Sequence, residues 1–344
     1  MTSIAIIGAG SSGLAAAHIL QDAGHTVTLF EEHTEVGGRA ATRQRQGFIY
    51  DHGAQYIKGG SPISTSLITE RFYVNDLIDI AKPVWIFDQH GHIAQGDPAQ
   101  NADPKWNYRS GLHTFAKCMA EGLHISLQTL ITRFQQTTTG WHLSNTSGQS
   151  LGTFARLLVT LPAPQAINLI TASSLDNNVR QPLLSTLSQA RYNPLISVML
   201  GYQPQPQVRP YYALVNTDKA HPISWLAWEH EKAPERTPPN TGLLLAQMAP
   251  HYSQQNWHTA DEQLIGDVAR LVAELVDEQL PEPIFTDIYR WQYALPNAKA
   301  DANALNTLTL PIGLAFCGDG FVGGRVHLAL EHGMEVAKQF LSSH

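Results

Sequence analysis

The feature that most constrains this chain is Gly8-Ala9-Gly10-Ser11-Ser12-Gly13, which follows a short β-rich run, Ile4–Ile7, and opens an alanine-rich stretch, Leu14–Ala23. The first glycine permits a tight turn, the second lets backbone approach a pyrophosphate, and the third lets helix lie on strand. The helix start then offers free N–H groups and a partial positive charge to phosphate. Gly24 closes the helix, and in His25–Phe30 Val27 and Leu29 alternate with Thr26 and Thr28, completing a strand–helix–strand unit. Glu31 ends the second strand, where a carboxylate accepts hydrogen bonds from a ribose hydroxyl, and no arginine follows to hold a 2′-phosphate. The glycines alone suit an ordinary turn equally well. Strand, helix and acid together make a dinucleotide site.

Composition frames that turn. The 344 residues, 43% hydrophobic and 15% charged, supply core enough for two domains or one large one. Lys+Arg at 22 against Asp+Glu at 29 gives −7 with no run of like charges. That argues against a nucleic-acid backbone or an anionic membrane as main partner, so a bound anion must be held locally. Cys118 and Cys317 are far apart and form no C-x-x-C pair, which argues against a disulfide framework and for a reducing, cytoplasmic location. The 16 histidines include no H-E-x-x-H, and His327 with Glu331 and His332 lacks the spacing of paired ligands, so no metal is expected. The N-terminal run lacks the basic flank of a signal peptide, and no apolar stretch reaches the ~20 residues that span a bilayer. A soluble protein with small-molecule partners is expected; oligomeric state is not legible.

Further along, Val84–Phe87, Ile125–Leu127, Thr129–Phe134, Trp141–Leu143 and Leu157–Thr160 read as short strands, with Pro204–Pro210 and Ala233–Pro239 as loops. Ile196–Gly201, Tyr211–Val215, Ile223–Trp228 and Leu243–Met248 are strands without a long helix among them, which implies an antiparallel sheet in a second domain. Asp261–Gln279 is an amphipathic helix stopped by Pro281. A strand, Leu314–Cys317, a glycine-rich turn, Gly318–Gly324, and a helix, Val326–Leu341, end the chain.

Glu31 is followed, after five residues, by Gly37-Gly38-Arg39. This opening resembles the flavoproteins of the monoamine oxidase, protoporphyrinogen oxidase and phytoene desaturase group, and the resemblance implies FAD. In that group the Gly-Gly-Arg turn brings further N–H groups and a guanidinium to the pyrophosphate. Without the resemblance, Arg39 is a surface charge after a turn. Phe316-Cys317-Gly318-Asp319-Gly320, then Gly323-Gly324-Arg325-Val326 and a helix, is similar to the group's second FAD element. There the aspartate accepts from the ribityl chain, and the helix start faces the N1 and C2=O edge of the flavin. A helix N-terminus favours the negative charge of reduced flavin by ~0.3–1 kcal/mol, and by ~2 kcal/mol when partly buried.

Asp51-His52-Gly53-Ala54-Gln55-Tyr56, Leu161–Ala166, Ser224-Trp225-Leu226-Ala227, Lys232-Ala233-Pro234-Glu235-Arg236 and Arg290–Pro296 resemble bacterial renalases, in the same order and across nearly the whole chain. The resemblance implies an α/β fold of para-hydroxybenzoate hydroxylase type: a discontinuous Rossmann-type FAD-binding domain (1–60, 107–165 and 285–344) and a substrate domain on an antiparallel sheet (61–106 and 166–284). It implies oxidation of misreduced 1,2- or 1,6-dihydro isomers of NAD(P)H to NAD(P)+, with dioxygen becoming hydrogen peroxide. Loss of hydride makes the nicotinamide aromatic, so no C–H acid or base is needed. Amine oxidation or desaturation on the same scaffold is the rival, and a non-catalytic FAD-binding module a third reading. Arg325 stands where monoamine oxidases carry a cage tyrosine; a cation there repels a protonated amine and suits a phosphate-bearing substrate. Otherwise it is a helix-entry residue paired with a carboxylate.

By this resemblance Gly8, Gly10, Ser12, Gly13, Glu31, Glu32, Gly38 and Arg39 hold the ADP half of a non-covalent FAD, and Leu130 meets the adenine through its backbone. His52, Gly53, Ala54, Gln55, Tyr56, Gly318, Asp319, Arg325 and Val326 surround the ribityl chain and ring. Tyr56, Trp228, Gln247, Trp291, Tyr293 and Arg325 are substrate-side candidates. Trp225 and Trp228 stand on opposite faces of one strand, and the residues do not say which face meets the substrate. Val326-His327-Leu328-Ala329 departs from the family's Val-Glu-Gly-Ala, which bears on how closely the helix approaches the flavin. His327 and His332 either line the site or form a solvated helix face, and the solvated face is the reading taken.

Overall fold

The computed structural model describes residues 2–59 and 61–342. Five strands form a parallel sheet in the order His124–Ser126, Thr26–Phe30, Ser3–Ile7, Arg156–Val159, Leu314–Phe316. Its strands are apolar on both faces, as a doubly covered parallel sheet requires. One face carries the first and last helices, Ser11–Asp22 and Val326–Ser342. They touch backbone to backbone: a Cβ on Gly333 would lie 2.2 Å from the Ser12 carbonyl oxygen, and Ser12 Oγ donates to the Ala329 carbonyl at 2.8 Å. The other face buries Trp141, Phe134 and the helices Ala163–Ala172 and Asn177–Leu187.

A second sheet of seven strands runs Phe285–Ala298, Arg191–Tyr202, Gly242–Met248, Ile223–Trp228, Ala213–Asn216, Val84–Phe87, Ile93–Ala94. It is antiparallel apart from one parallel pairing, Ala213–Asn216 with Val84–Phe87. Val198, Leu226, Trp228 and Leu244 on one face pack under Leu264, Val268 and Val272 of the helix Asp261–Val276. The opposite face turns to the nucleotide-binding side. The fold is therefore α/β, a Rossmann-type parallel sheet with a second sheet domain.

Two stretches fall on the other side of the expected division. Residues 285–298 pair with Arg191–Tyr202 in the second sheet, although they were grouped with the first domain. The helices within 163–187 join the core of the parallel sheet, although most of that stretch was grouped with the second domain. A strand's own pattern does not name its partner strand, and a helix's apolar face does not name its sheet. The Gly318–Gly324 turn contains a short helix, Asp319–Val322. No helix among the described residues is long and apolar enough to cross a membrane.

Candidate functional site

Between the two sheets lies a cavity of about 1250 Å³, lined from both ends of the chain. At one end Gly8 turns with φ +104°, and Gly13 sits so close beneath it that a Cβ would lie 2.1 Å from the Gly8 carbonyl oxygen. Gly10 has nothing within 4 Å of its would-be Cβ, so the helix start faces open space. Gly37 N–H donates to the Ala9 carbonyl at 2.8 Å, laying the 37–38 turn beside the glycine turn. Glu31, 6% exposed, accepts from Ala9 N–H at 2.9 Å and His33 N–H at 3.0 Å. An ionised carboxylate has about four lone-pair sites, so room remains for ligand hydroxyls. Glu32 and the exposed Leu130 line the same end.

Arg39 and Asp319 clasp each other across the cavity. One guanidinium nitrogen lies 2.7 Å from Asp319 Oδ2 and the other donates to Oδ1 at 2.8 Å. Arg39 also donates to the carbonyls of Tyr293 (3.0 Å) and Ala294 (3.3 Å), and Tyr192 O–H donates to Asp319 at 3.3 Å. This bidentate fork joins the 37–39 turn near the start of the chain to the short helix Asp319–Val322 near its end.

The hairpin Thr42–Arg45 and Phe48–Asp51 leads into the loop 52–56, and the second sheet grips its carbonyls. The His52 carbonyl accepts from Trp291 Nε1 (2.8 Å) and Ser197 Oγ (2.9 Å); the Gly53 carbonyl accepts from Gln247 Nε2 (2.7 Å). Gly53 leaves no room for more, since a Cβ would lie 2.1 Å from the Arg39 carbonyl oxygen. The His52 ring stacks on Trp291 with centroids 5.2 Å apart and tilts against Tyr289 at 4.5 Å. Burial, above all, pulls the His52 imidazole down to a pKa of about 4, and the nearby Arg43 adds to the shift. Burial likewise raises the Tyr56 phenol, opposed by Arg325 and Lys58. Tyr56 faces Trp225 at 6.3 Å.

At the far end Arg325 is exposed and lines the cavity, and among the described residues no ion pair to it occurs. It precedes the helix Val326–Ser342, whose first-turn N–H groups have no intrahelical acceptor.

Of the expected cofactor residues, all but Gly13 line the cavity, and Gly13 packs directly under its turn. Tyr56, Gln247, Trp291, Tyr293 and Arg325 line it as well. Trp228 does not: it is fully buried in the core under Asp261–Val276, edge-on to Tyr211. Alternation along the strand puts Leu226 and Trp228 together on the core face and leaves Trp225 toward the cavity. His327 and His332 are buried rather than solvated: His327 lines the cavity and His332 Nδ1 lies 3.2 Å from Gly318 N. Leu328 does not line the cavity; its side chain lies toward Gly323. Tyr289, Arg43 and Lys58 line the cavity without having been singled out. Alternation from Trp291 back to Tyr289 and Asp287 would have found Tyr289.

The residues present suit a flavin dinucleotide. The cavity exceeds the ~300–1,000 Å³ typical of one small ligand. It has an open helix start for phosphates, a buried acid for a ribose, and a second helix start with an aspartate some way along.

Residues 6–70 match the family model for NAD(P)-binding Rossmann-like domains, and residues 82–341 match the model for flavin-containing amine oxidoreductases. Over 54 residues the chain is 52% identical to a 4,4′-diapophytoene desaturase of Staphylococcus aureus (strain bovine RF122 / ET3-1), covering 16% of this chain. A second such desaturase, from Staphylococcus haemolyticus (strain JCSC1435), is 35% identical over 85 residues, 25% of this chain. These alignments span 11% and 17% of the desaturases' own length. Among solved structures, one assigned as a protoporphyrinogen oxidase from Exiguobacterium sp. 255-15 superposes with a TM-score of 0.79 at 16% identity, covering 99% of both chains. Putrescine oxidase bound to putrescine gives 0.76 at 14% identity, again over 99% of both. At such identities the likeness is one of fold.

Proposed function

This chain belongs to the flavin-containing amine oxidoreductase family, and within that family we propose that it oxidises a misreduced dihydropyridine nucleotide, a 1,2- or 1,6-dihydro isomer of NAD(P)H, to NAD(P)+. It is a flavin-dependent oxidoreductase with FAD as cofactor. Neither cysteine lines the cavity, which supports non-covalent attachment. Bound FAD supplies a two-electron acceptor, and dioxygen carries the pair away as hydrogen peroxide.

In this reading Gly8, Gly10 and Ser12 meet the pyrophosphate, Glu31 a ribose, and Asp319 the ribityl chain. The observation that carries the substrate assignment is the character of the ring end. Its walls are aromatic, from Tyr56, Trp225, Tyr289, Trp291 and Tyr293, and it holds the exposed cation Arg325, which has no ion pair among the described residues. The carboxylates that line the cavity are Glu31, Glu32 and Glu35 at the nucleotide turn, and Asp319, already held by Arg39. A protonated amine would find repulsion there and no counter-ion, whereas a flat ring bearing phosphates finds a slot and a cation. The rings orient the substrate and exclude water. No side chain has to move a proton, because the pyridinium product is aromatic.

The family model and the likeness to putrescine oxidase and the diapophytoene desaturases favour a second reading, amine oxidation or desaturation. One anaerobic experiment separates the two. Purified yellow protein is mixed with dihydro-NAD(P) isomers, ordinary NAD(P)H and a panel of amines. Bleaching by the isomers alone is expected; bleaching by amines refutes the substrate assignment.

A further inference from the structure

Behind the loop 52–56, off the cavity lining, four charged side chains meet without solvent exposure. Arg236 lies 2.7 Å from Asp51 Oδ2 and 2.6 Å from Glu229 Oε2; Lys232 lies 3.1 Å from Asp51 Oδ2 and 2.7 Å from Glu229 Oε1. Two anions balance two cations. Apolar replacements of such clusters are often neutral or stabilising, so stability alone does not account for this one. What it adds is contact with the loop. Lys232 Nζ donates to Gln55 Oε1 at 3.2 Å, and Gln55 Nε2 donates back to the carbonyls of Asp51 (2.5 Å) and Gly53 (3.2 Å). Arg236 donates to Asn107 Oδ1 at 2.7 Å, and Asn107 Nδ2 donates to the Gln55 carbonyl at 2.8 Å. Glu229, Lys232 and Arg236 follow directly on the strand Ile223–Trp228, whose Trp225 lines the cavity.

We propose that Asp51, Glu229, Lys232 and Arg236 form a positioning device that, through Gln55 and Asn107, fixes where the loop 52–56 stands against the bound flavin. The cluster ties the loop to the segment that follows the strand Ile223–Trp228, while Gln247 and Trp291 hold it from strands of the second sheet. A charge-balanced cluster does this without projecting a net charge at the ring. The inference rests on the FAD reading of the cavity and is independent of the substrate.

The test compares wild type, Lys232→Met, Glu229→Gln/Lys232→Met and Asn107→Leu as full-length holoproteins. Thermal midpoint, FAD Kd and the visible spectrum of bound flavin are measured for each. Asn107→Leu changes no charge and does not line the cavity, so it serves where Lys232→Met fails to fold. The expected result is at least tenfold weaker FAD binding and an altered flavin spectrum in Asn107→Leu. The balanced double variant recovers thermal midpoint over Lys232→Met without recovering Kd or spectrum. Wild-type Kd and spectrum in Asn107→Leu, or their recovery in the double variant, overturns the proposal. A wild-type chain that takes up no FAD overturns the cofactor reading as well, which keeps the two failures apart.

Discussion

The two ends of the cavity are built in opposite ways. At the nucleotide end, Gly8, Gly10 and Gly13 shape the wall with backbone, and its tightest approach, Gly13 on the Gly8 carbonyl, joins residues of one turn. At the ring end, the loop 52–56 is held by Ser197, Gln247, Trp291 and, through Gln55 and Asn107, by Lys232 and Arg236. Where the backbone wall packs on itself, as at Gly13, it tolerates almost no added atom, whereas a wall held by side chains fails by degrees as each grip is lost.

The largest expected effect tests the backbone wall. Gly13→Val puts side-chain atoms where the Gly8 carbonyl already stands, and destabilisation above ~4 kcal/mol with no recoverable flavoprotein is expected in thermal melts. Gly10→Ala, with open space around its Cβ, should keep the fold and lose FAD affinity. Normal flavin binding in Gly13→Val would break the contrast.

Arg236→Met tests the side-chain wall. It leaves Asp51 and Glu229 facing one cation, at a cost of ~3–5 kcal/mol in denaturant unfolding. Arg236 and Lys232, opposing burial, hold the Asp51 carboxyl well below the usual range, so its contribution is present above the unfolded pKa of ~3.9 and is lost as pH falls further. In the variant the penalty should shrink in acid, because protonation removes the stranded charge.

His52 sharpens the comparison through pH. Its folded pKa of about 4 lies below that of an unfolded histidine, so the folded state binds fewer protons and stability falls with pH between ~6.5 and ~4. His52→Phe should flatten that limb by up to ~3 kcal/mol in melts taken across the range. Burial also lowers His18, His113, His230 and His332, so part of the limb will remain. Unchanged pH dependence would place His52 in water.

Smaller effects come from single grips. Arg39→Ala breaks the clasp with Asp319 and should weaken FAD by ~30-fold in titrations of deflavinated protein, the worth of a charge-assisted pair. Arg325→Ala, at an exposed cation, should raise KM for a dihydro-NAD(P) isomer by ~5-fold, with reduced salt sensitivity. An unchanged KM would remove the cation from the substrate reading.

The glycine turn was legible because it is local: strand, turn, helix and acid sit within the first 31 residues, and each requirement selects a residue type. Gln247 and Trp291 were legible as cavity residues, but not as donors to the carbonyls of Gly53 and His52. Trp225 and Trp228 take the opposite faces that alternation gives, and only the packing of Trp228 under the helix Asp261–Val276 decides that Trp225's face meets the cavity. His327 and His332 were misread as solvated because a helix face is polar or buried according to what packs on it.

The sequence by itself determined a nucleotide-binding opening, a flavin-family ending and two sheets, since hydrophobic period, turn glycines and caps act over a few neighbours. Tertiary structure decided that Phe285–Ala298 completes the second sheet, that Arg39 meets Asp319, and that Asp51 is neutralised by Lys232 and Arg236. Those pairings join residues that are far apart along the chain, and only packing of the whole chain fixes which of many compatible charges and strands lie within bonding distance.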